Sequence, residues 1–317
     1  MTIMLMSGAR IAKQSRFNFF MKALQATLAI FCCHILTGTA SVSTRYLVTV
    51  LDPVEIAFLR YFIGGFAMLP LFFLFRSRSL NKVLLLKIAG LGVLFFALFP
   101  FLFSWSFVYT TAARGSLVIA TMPIWAMLIS KAIGHERING LSLLAMALTI
   151  FGLTIALSDK LLMSSGEAVI FKGELIMLLT ALVGAIYAIL SRHVLRQVPA
   201  STMTPLAMLT GCLFLFPFSI ARGIDVHLMA LSSQQLWLIV YLGIVAGGIA
   251  FFLFNWALNK STATYTTLFV ALNPITAIFL GNIFLDEVIT ANFIVGVLVV
   301  FFGLGLAVKS QISDHPI

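Results

Sequence analysis

Charge is what this chain has least of: Asp, Glu, Lys and Arg together make up 9% of its 317 residues, where a water-soluble domain carries about 25%. A soluble globular domain cannot cover its surface with so few charges, and that class is excluded. Cysteine is scarce as well. Cys32, Cys33 and Cys212 fall inside apolar stretches, with neither zinc-ligand spacing nor a paired extracellular framework, and read as packing residues. There is no His-Glu-x-x-His motif, no Gly-x-Ser-x-Gly elbow, no pair of intramembrane aspartates and no phosphate-binding glycine loop. An intramembrane enzyme, a built-in ATP motor and a bound cofactor or metal are therefore not expected.

What is abundant is apolar surface. Hydrophobic residues reach 61%, phenylalanine alone numbers 30, and mean hydropathy is +1.11, as expected when lipid is the solvent for most side chains. A membrane helix needs about 20 apolar residues. Ten such segments can be read, near 22–43, 54–75, 83–106, 113–131, 139–158, 173–192, 203–221, 236–257, 264–284 and 289–308, which predicts an all-α integral membrane protein. The first apolar stretch, from about Ala23 to Ala40, lacks a small-residue cleavage site and is expected to stay in the mature chain.

The net charge of +10 would suggest nucleic acid in a soluble protein, but the basic residues here are scattered among short connections. They report orientation instead. With the N-terminus in the cytoplasm, 14 Lys and Arg fall inside and 5 outside, with Arg60 left within a span, and the positive-inside rule selects that orientation. The expected location is the plasma (inner) membrane, multi-pass, with both termini cytoplasmic. Lipid and a small solute are the expected partners, not nucleic acid.

A repeat organises the chain. Trp105 and Trp256, Pro123 and Pro274, Glu136 and Glu287, and Gly152 and Gly303 are each 151 positions apart, with Thr111 and Thr262 among the further matches. Earlier spans repeat at 147, pairing Arg45 with Arg192, Gly64 with Gly211 and Pro70 with Pro217. We read a cytoplasmic segment at 1–21, a first unit at 22–158, a second at 173–308 and a cytoplasmic tail at 309–317. Because each unit holds five spans, the second enters the membrane from the opposite side. Two inverted five-helix repeats favour alternating access, with a solute site near the midplane.

The two units resemble the EamA-like family of the drug/metabolite transporter superfamily. The resemblance covers nearly the whole chain and rests on Tyr109-Thr-Thr-Ala-Ala-Arg-Gly115 leading to Pro123, on Gly134-His-Glu-Arg-Ile138, and on the second-copy pieces Trp256-Ala-Leu-Asn-Lys260, Asn273-Pro274 and Leu285-Asp-Glu-Val-Ile289. Phe58-Leu-Arg-Tyr61 is similar to the family's Leu-Arg-Phe element. The resemblance implies transport of small metabolites or drugs, often outward, some by proton exchange. Where members often have Glu-Pro in the ninth span, this chain has Asn273-Pro274, and where they have Trp-Gly or Trp-Ala it has Thr37-Gly38 and Gly184-Ala185. The position before Pro274 thus lacks a carboxylate for proton coupling.

Several residues carry a functional and a structural reading side by side. Pro123 and Pro274 each delete a backbone hydrogen bond in mid-span and, with Gly38, mark a hinge or cavity, or a static bend. Asn273 offers an amide at that depth, for solute or for a neighbouring helix. His34, Gly38, Ser41 and Arg45 share one face of the first span. His34 there could bind solute or take a proton, or simply pack. Tyr187 and Trp256 could close a cavity or stack on a planar solute, or belong to an interfacial belt. Arg60 is expected to form an ion pair with Asp52 or Glu55. Glu136 and Glu287 are expected to cap the helix that follows each of them. Transport by alternating access, export in preference to uptake, is the leading function; a lipid flippase and an intramembrane enzyme are the alternatives.

Overall fold

The computed structural model describes residues 2–75, 80–134, 139–162 and 171–314, and among these all regular structure is helical. Ten long helices succeed one another: α1 (Thr2–Leu47), α2 (Pro53–Phe75), α3 (Lys82–Tyr109), α4 (Ala112–Ala132), α5 (Gly140–Leu162), α6 (Lys172–Leu195), α7 (Ala200–Ala221), α8 (Ser233–Leu258), α9 (Ala263–Leu285) and α10 (Ala291–Asp314). Eight contain stretches long and apolar enough to cross a membrane, and α5 and α10 add the shorter apolar stretches Leu143–Ser158 and Ala291–Leu306. The chain is a multi-pass membrane protein. Its lipid-facing surface is apolar, with Phe73, Leu86, Leu213 and Phe284 exposed.

The first helix departs from expectation by starting at Thr2, not near residue 22. No proline interrupts residues 2–21, so nothing in that segment ends a helix. At 1.5 Å per residue its 46 residues span more than twice a bilayer core of about 30 Å.

The two halves pack as inverted copies. The self-related pairs α2 with α7 and α5 with α10 lie side by side, while α1 packs on α8 and α9 as α6 packs on α3 and α4. Glycine sets the closest crossings. A Cβ on Gly64 of α2 would stand 2.7 Å from the Gly243 carbonyl of α8, and one on Gly211 of α7 would stand 2.7 Å from the Gly92 carbonyl of α3. Gly64 and Gly211 are 147 apart and Gly92 and Gly243 are 151 apart, so the two contacts are one contact made twice. Between membrane helices such close backbone approach supplies the dispersion that replaces a hydrophobic driving force.

Irregularities also come in pairs. π-helical turns occupy Val93–Leu98 in α3 and Ile244–Ile249 in α8. Pro100 lacks an N–H just after the first, whereas Gly247 and Gly248 soften the second. Helices α4 and α9 are broken at Ala120–Thr121 and at the 3-10 turn Phe269–Ala271, each break just ahead of its proline. Thr111 and Thr262 cap these helices, their hydroxyls accepting from the Arg114 and Tyr265 N–H groups at 3.2 and 3.1 Å.

The offset changes from 147 to 151 between α7 and α8: Pro53 and Ala200 open α2 and α7, and Lys82 and Ser233 open α3 and α8. The four extra residues (151−147) coincide with a seven-residue surface helix, Ile224–Ala230, in the second copy.

Candidate solute site

The middle of the bundle is filled by aromatic rings from four helices. Tyr61 of α2, Phe95 and Phe96 of α3, Tyr187 of α6, and Phe251 and Phe254 of α8 are all buried. Phe95 stacks on Tyr187 at 3.9 Å between centroids, and Tyr61 meets Phe96 edge-on at 4.9 Å. Phe95 and Phe96 belong to the π-helical turn of α3, so this irregularity is built into the wall of the cluster.

Two polar groups flank the rings. On one side the Tyr187 hydroxyl donates to Asn255 Oδ1 at 3.0 Å, and Asn255 Nδ2 donates to Thr204 Oγ1 at 3.0 Å, joining α6, α8 and α7. On the other side Thr37 Oγ1 donates to Asn273 Oδ1 at 3.3 Å, joining α1 and α9. His34 lies next to this pair, its Nδ1 3.5 Å from Thr37 Oγ1 and its ring edge-on to Phe254 at 6.1 Å. Its Nε2 is buried without a hydrogen-bond partner. His34, Thr37, Ser41 and Thr44 form a stripe along α1, and the Ser41 and Thr44 hydroxyls are likewise buried and unpartnered.

Of the residues singled out in the sequence, His34 and Asn273 are brought together and Tyr187 faces the same ring cluster. Gly38 is where α1 meets α9, since a Cβ there would lie 2.8 Å from Thr276 Cβ. Pro123 and Pro274 are both buried, so neither faces lipid. Pro123 lines a cavity of about 10 Å³ with Thr149, Thr264 and Leu304. Trp256 takes no part in the hydrogen bonds of Tyr187, Asn255 and Thr204: it is half-buried, packs on the edge of the core that contains the ring cluster and by Ala26 and Ile30 of α1, and holds Lys260 Nζ 3.4 Å over its ring. Its neighbour Asn255 makes the contact instead.

Two expectations are corrected. Arg60 has no acidic partner among the described residues. Asp52 pairs with Arg222 at 3.5 Å and Glu55 with His227 at 2.8 Å, while Arg60 turns inward, donates from Nη2 to the Ala246 carbonyl at 2.8 Å, and is 4% exposed. The helical turn carries its side chain away from the end of α2, where the acids are, to the carbonyls loosened by the π-helical turn of α8. Glu287 does not cap α10. Its carboxylate accepts from the Ala112 and Ala113 N–H groups at 2.6 and 3.0 Å, capping α4 in the other half, because the loop after α9 lies over that helix start. Glu136 lies outside the described residues.

Most links between the halves gather on the face where α4 begins. Besides Glu287, Thr110 donates to Glu174 at 2.7 Å, Lys172 to the Tyr109 hydroxyl at 2.9 Å, and Arg222 and His227 engage Asp52 and Glu55. On the opposite face Thr27 meets Tyr265 at 3.1 Å and Ser201 donates to the Phe75 carbonyl at 3.2 Å.

The repeat identifies what is special in the centre. The scaffold positions match between halves, but the polar ones do not: His34 corresponds to Ala181, Arg60 to Ala207, Tyr187 to Ala40, Asn255 to Ser104 and Asn273 to Met122. Asn255, missed in the sequence, was marked as the lone amide in the apolar run Ala250–Leu258.

Ten helices in two inverted copies around a buried aromatic and polar centre define a membrane transporter. The chain belongs to the EamA-like transporter family, which matches residues 24–158 and 171–309. It is similar to the uncharacterized transporter YoaV of Bacillus subtilis, 23% identical over 89% of this chain and 96% of the relative. It is also similar to a probable amino-acid metabolite efflux pump of Escherichia coli, 24% identical over 80% of this chain and 85% of that one. A probable terminal-alkyne amino-acid exporter of Streptantibioticus cattleyicolor is 23% identical over 67% of this chain and 68% of its own. A solved crystal structure covering 90% of this chain and 96% of its own, at a TM-score of 0.64 and 18% identity, shares the fold.

Proposed function

We propose that the protein carries a small polar or amphipathic solute across the membrane by alternating access, in the export direction, and that the solute binds at the aromatic centre between the two halves. The observation that carries this reading is the asymmetry of the centre: a scaffold whose helix pairings recur in both halves holds four polar residues, His34, Arg60, Tyr187 and Asn273, that have an apolar residue at the matching position, and an amide, Asn255, where the other copy has the shorter Ser104. A purely structural interior has no need to break its own repeat at five buried positions. Asn273, His34 and Tyr187 are the proposed solute contacts, joined by Asn255; Pro123, Pro274 and Gly38 are the proposed points of bending. Trp256 with Lys260 is proposed to close the cavity at the end of α8. The halves 22–158 and 173–308 move as the two units, and both termini are cytoplasmic. His34 is the proposed site for any proton coupling, as the histidine within the polar stripe of α1. Export is supported by the names of the Escherichia coli and Streptantibioticus relatives.

The test is an untargeted comparison of metabolites in cells and medium, with and without the protein, and with Tyr187→Phe or Asn255→Ala at matched membrane abundance. A solute depleted in cells and enriched in medium only with the intact chain is expected, with the difference reduced by either variant. Identical metabolite profiles in all four strains would remove the carrier reading.

A further inference from the structure

The charge inside the bundle is one-sided. The ten acidic residues of the chain are at positions 52, 55, 136, 159, 167, 174, 225, 286, 287 and 314, and those among the described residues lie in connections or near helix ends. Among the described residues the aromatic centre holds no carboxylate, yet Arg60 reaches it. Its guanidinium carbon lies 5.3 Å from the Tyr61 centroid and 5.7 Å from that of Phe251, and Phe251 is itself 5.0 Å from Phe95, the ring that stacks on Tyr187. The bond from Nη2 to Ala246 fixes the side chain from one side. Its Nε is buried without a partner, and so is the adjacent Tyr61 hydroxyl.

Within a membrane a charged side chain without a counter-charge is costly, and where it is kept it marks a functional pathway. Cation–π contact with two rings offsets part of that cost but satisfies no N–H donor. What completes the set is an acceptor bearing negative charge, matched to a planar fork of donors. The neighbouring rings define the rest of the ligand as apolar and flat. The other half offers no equivalent, since Ala207 and Met208 stand where Arg60 and Tyr61 stand in the first copy.

We propose that Arg60 and the Tyr61 hydroxyl receive the anionic group of the carried solute, and that the cargo is an organic anion, a carboxylate on an apolar body. This rests on the carrier reading above and assigns the chemical class that reading leaves open. A net cationic solute is disfavoured by the same arrangement, because no described carboxylate in the centre opposes its charge.

The test uses the purified full-length chain in proteoliposomes and shape-matched probe sets: 3-phenylpropanoate, 3-phenylpropanamide and 3-phenylpropylamine, and 2-naphthoate, 2-naphthamide and 2-naphthylmethylamine. Each acid is expected to move roughly tenfold or more faster than its amide and amine at equal low concentration, as expected for a charge-assisted hydrogen bond. Arg60→Gln is expected to abolish that preference, and Arg60→Lys to keep it while weakening acid binding, since charge remains and the fork is lost. Amides or amines carried as well as acids would overturn the proposal while leaving the carrier reading intact, as would an acid preference surviving in Arg60→Gln. Immobility of every probe would count against both. Monodispersity and melting temperature are recorded for each variant. If Arg60→Gln does not fold, the wild-type selectivity and the acid-specific change in Arg60→Lys decide the matter.

Discussion

Single residues in this protein divide into those that hold the bundle and those proposed to meet the solute, and Glu287 and Asn273 exemplify the two kinds. Glu287 accepts two backbone N–H groups at the start of α4. Glu287→Ala is expected to cost about 0.5–2 kcal/mol of stability through the lost cap, read as a lower melting temperature and lower membrane abundance. Asn273 spends its carbonyl on one bond to Thr37, and an interhelical bond of this kind averages about 0.6 kcal/mol in a membrane. Asn273→Ala is therefore expected to leave abundance nearly unchanged and to reduce solute flux roughly five- to thirtyfold, the loss of a 1–2 kcal/mol contact. Flux per folded molecule, measured for both variants once the cargo is known, checks the pair; normal flux in Asn273→Ala takes it out of the site. Both residues were visible in the sequence as polar groups beside a proline or in a loop. Their partners were not, because the rotation of each helix decides whom a side chain meets. The same blindness assigned Arg60 to the acids nearest in sequence, when its length and direction take it to the Ala246 carbonyl instead.

Helices show the reverse balance, with more legible in advance. Turn residues and charges located all ten elements, and the matched Thr111 and Thr262 already stood at the starts of α4 and α9, where they cap. What could not be read was that the repeat extends to backbone irregularity: π-helical turns sit at matching places in α3 and α8, one just ahead of Pro100 and the other containing Gly247 and Gly248. The shared crossings give an element-level prediction. Gly64→Ala and Gly211→Ala each place a Cβ 2.7 Å from a carbonyl of the facing helix. Each is expected to cost roughly 1–3 kcal/mol by overpacking, and the two losses are expected to be similar because the contacts are copies. Thermal unfolding of the two variants in the same detergent measures this. A loss confined to one of them would mean that the halves are not packed equivalently.

Across the whole molecule, the positive-inside assignment is tested by labelling. Met229 and Val288 are exposed on the face where α4 begins, and Asn259 is exposed on the opposite face. Single cysteines at Met229 or Val288, in a background lacking Cys32, Cys33 and Cys212, are expected to react with an impermeant maleimide in intact cells. A cysteine at Asn259 is expected to react only after permeabilisation, and the opposite pattern inverts the topology.

The surface helix Ile224–Ala230 bears on how such a molecule rests. On the alternating-access reading proposed above, two identical inverted copies would exchange roles when the carrier switches sides, so its two open forms would have equal energy and equal occupancy. The four-residue surplus (151−147) in one copy, with His227 held by Glu55 across the halves, removes that degeneracy. A bias of about 1.4 kcal/mol makes one form tenfold more populated. Such a bias cannot power net flow, which the gradients alone decide, but it sets the idle posture of the carrier and hence the side from which an arriving solute finds the door unlocked.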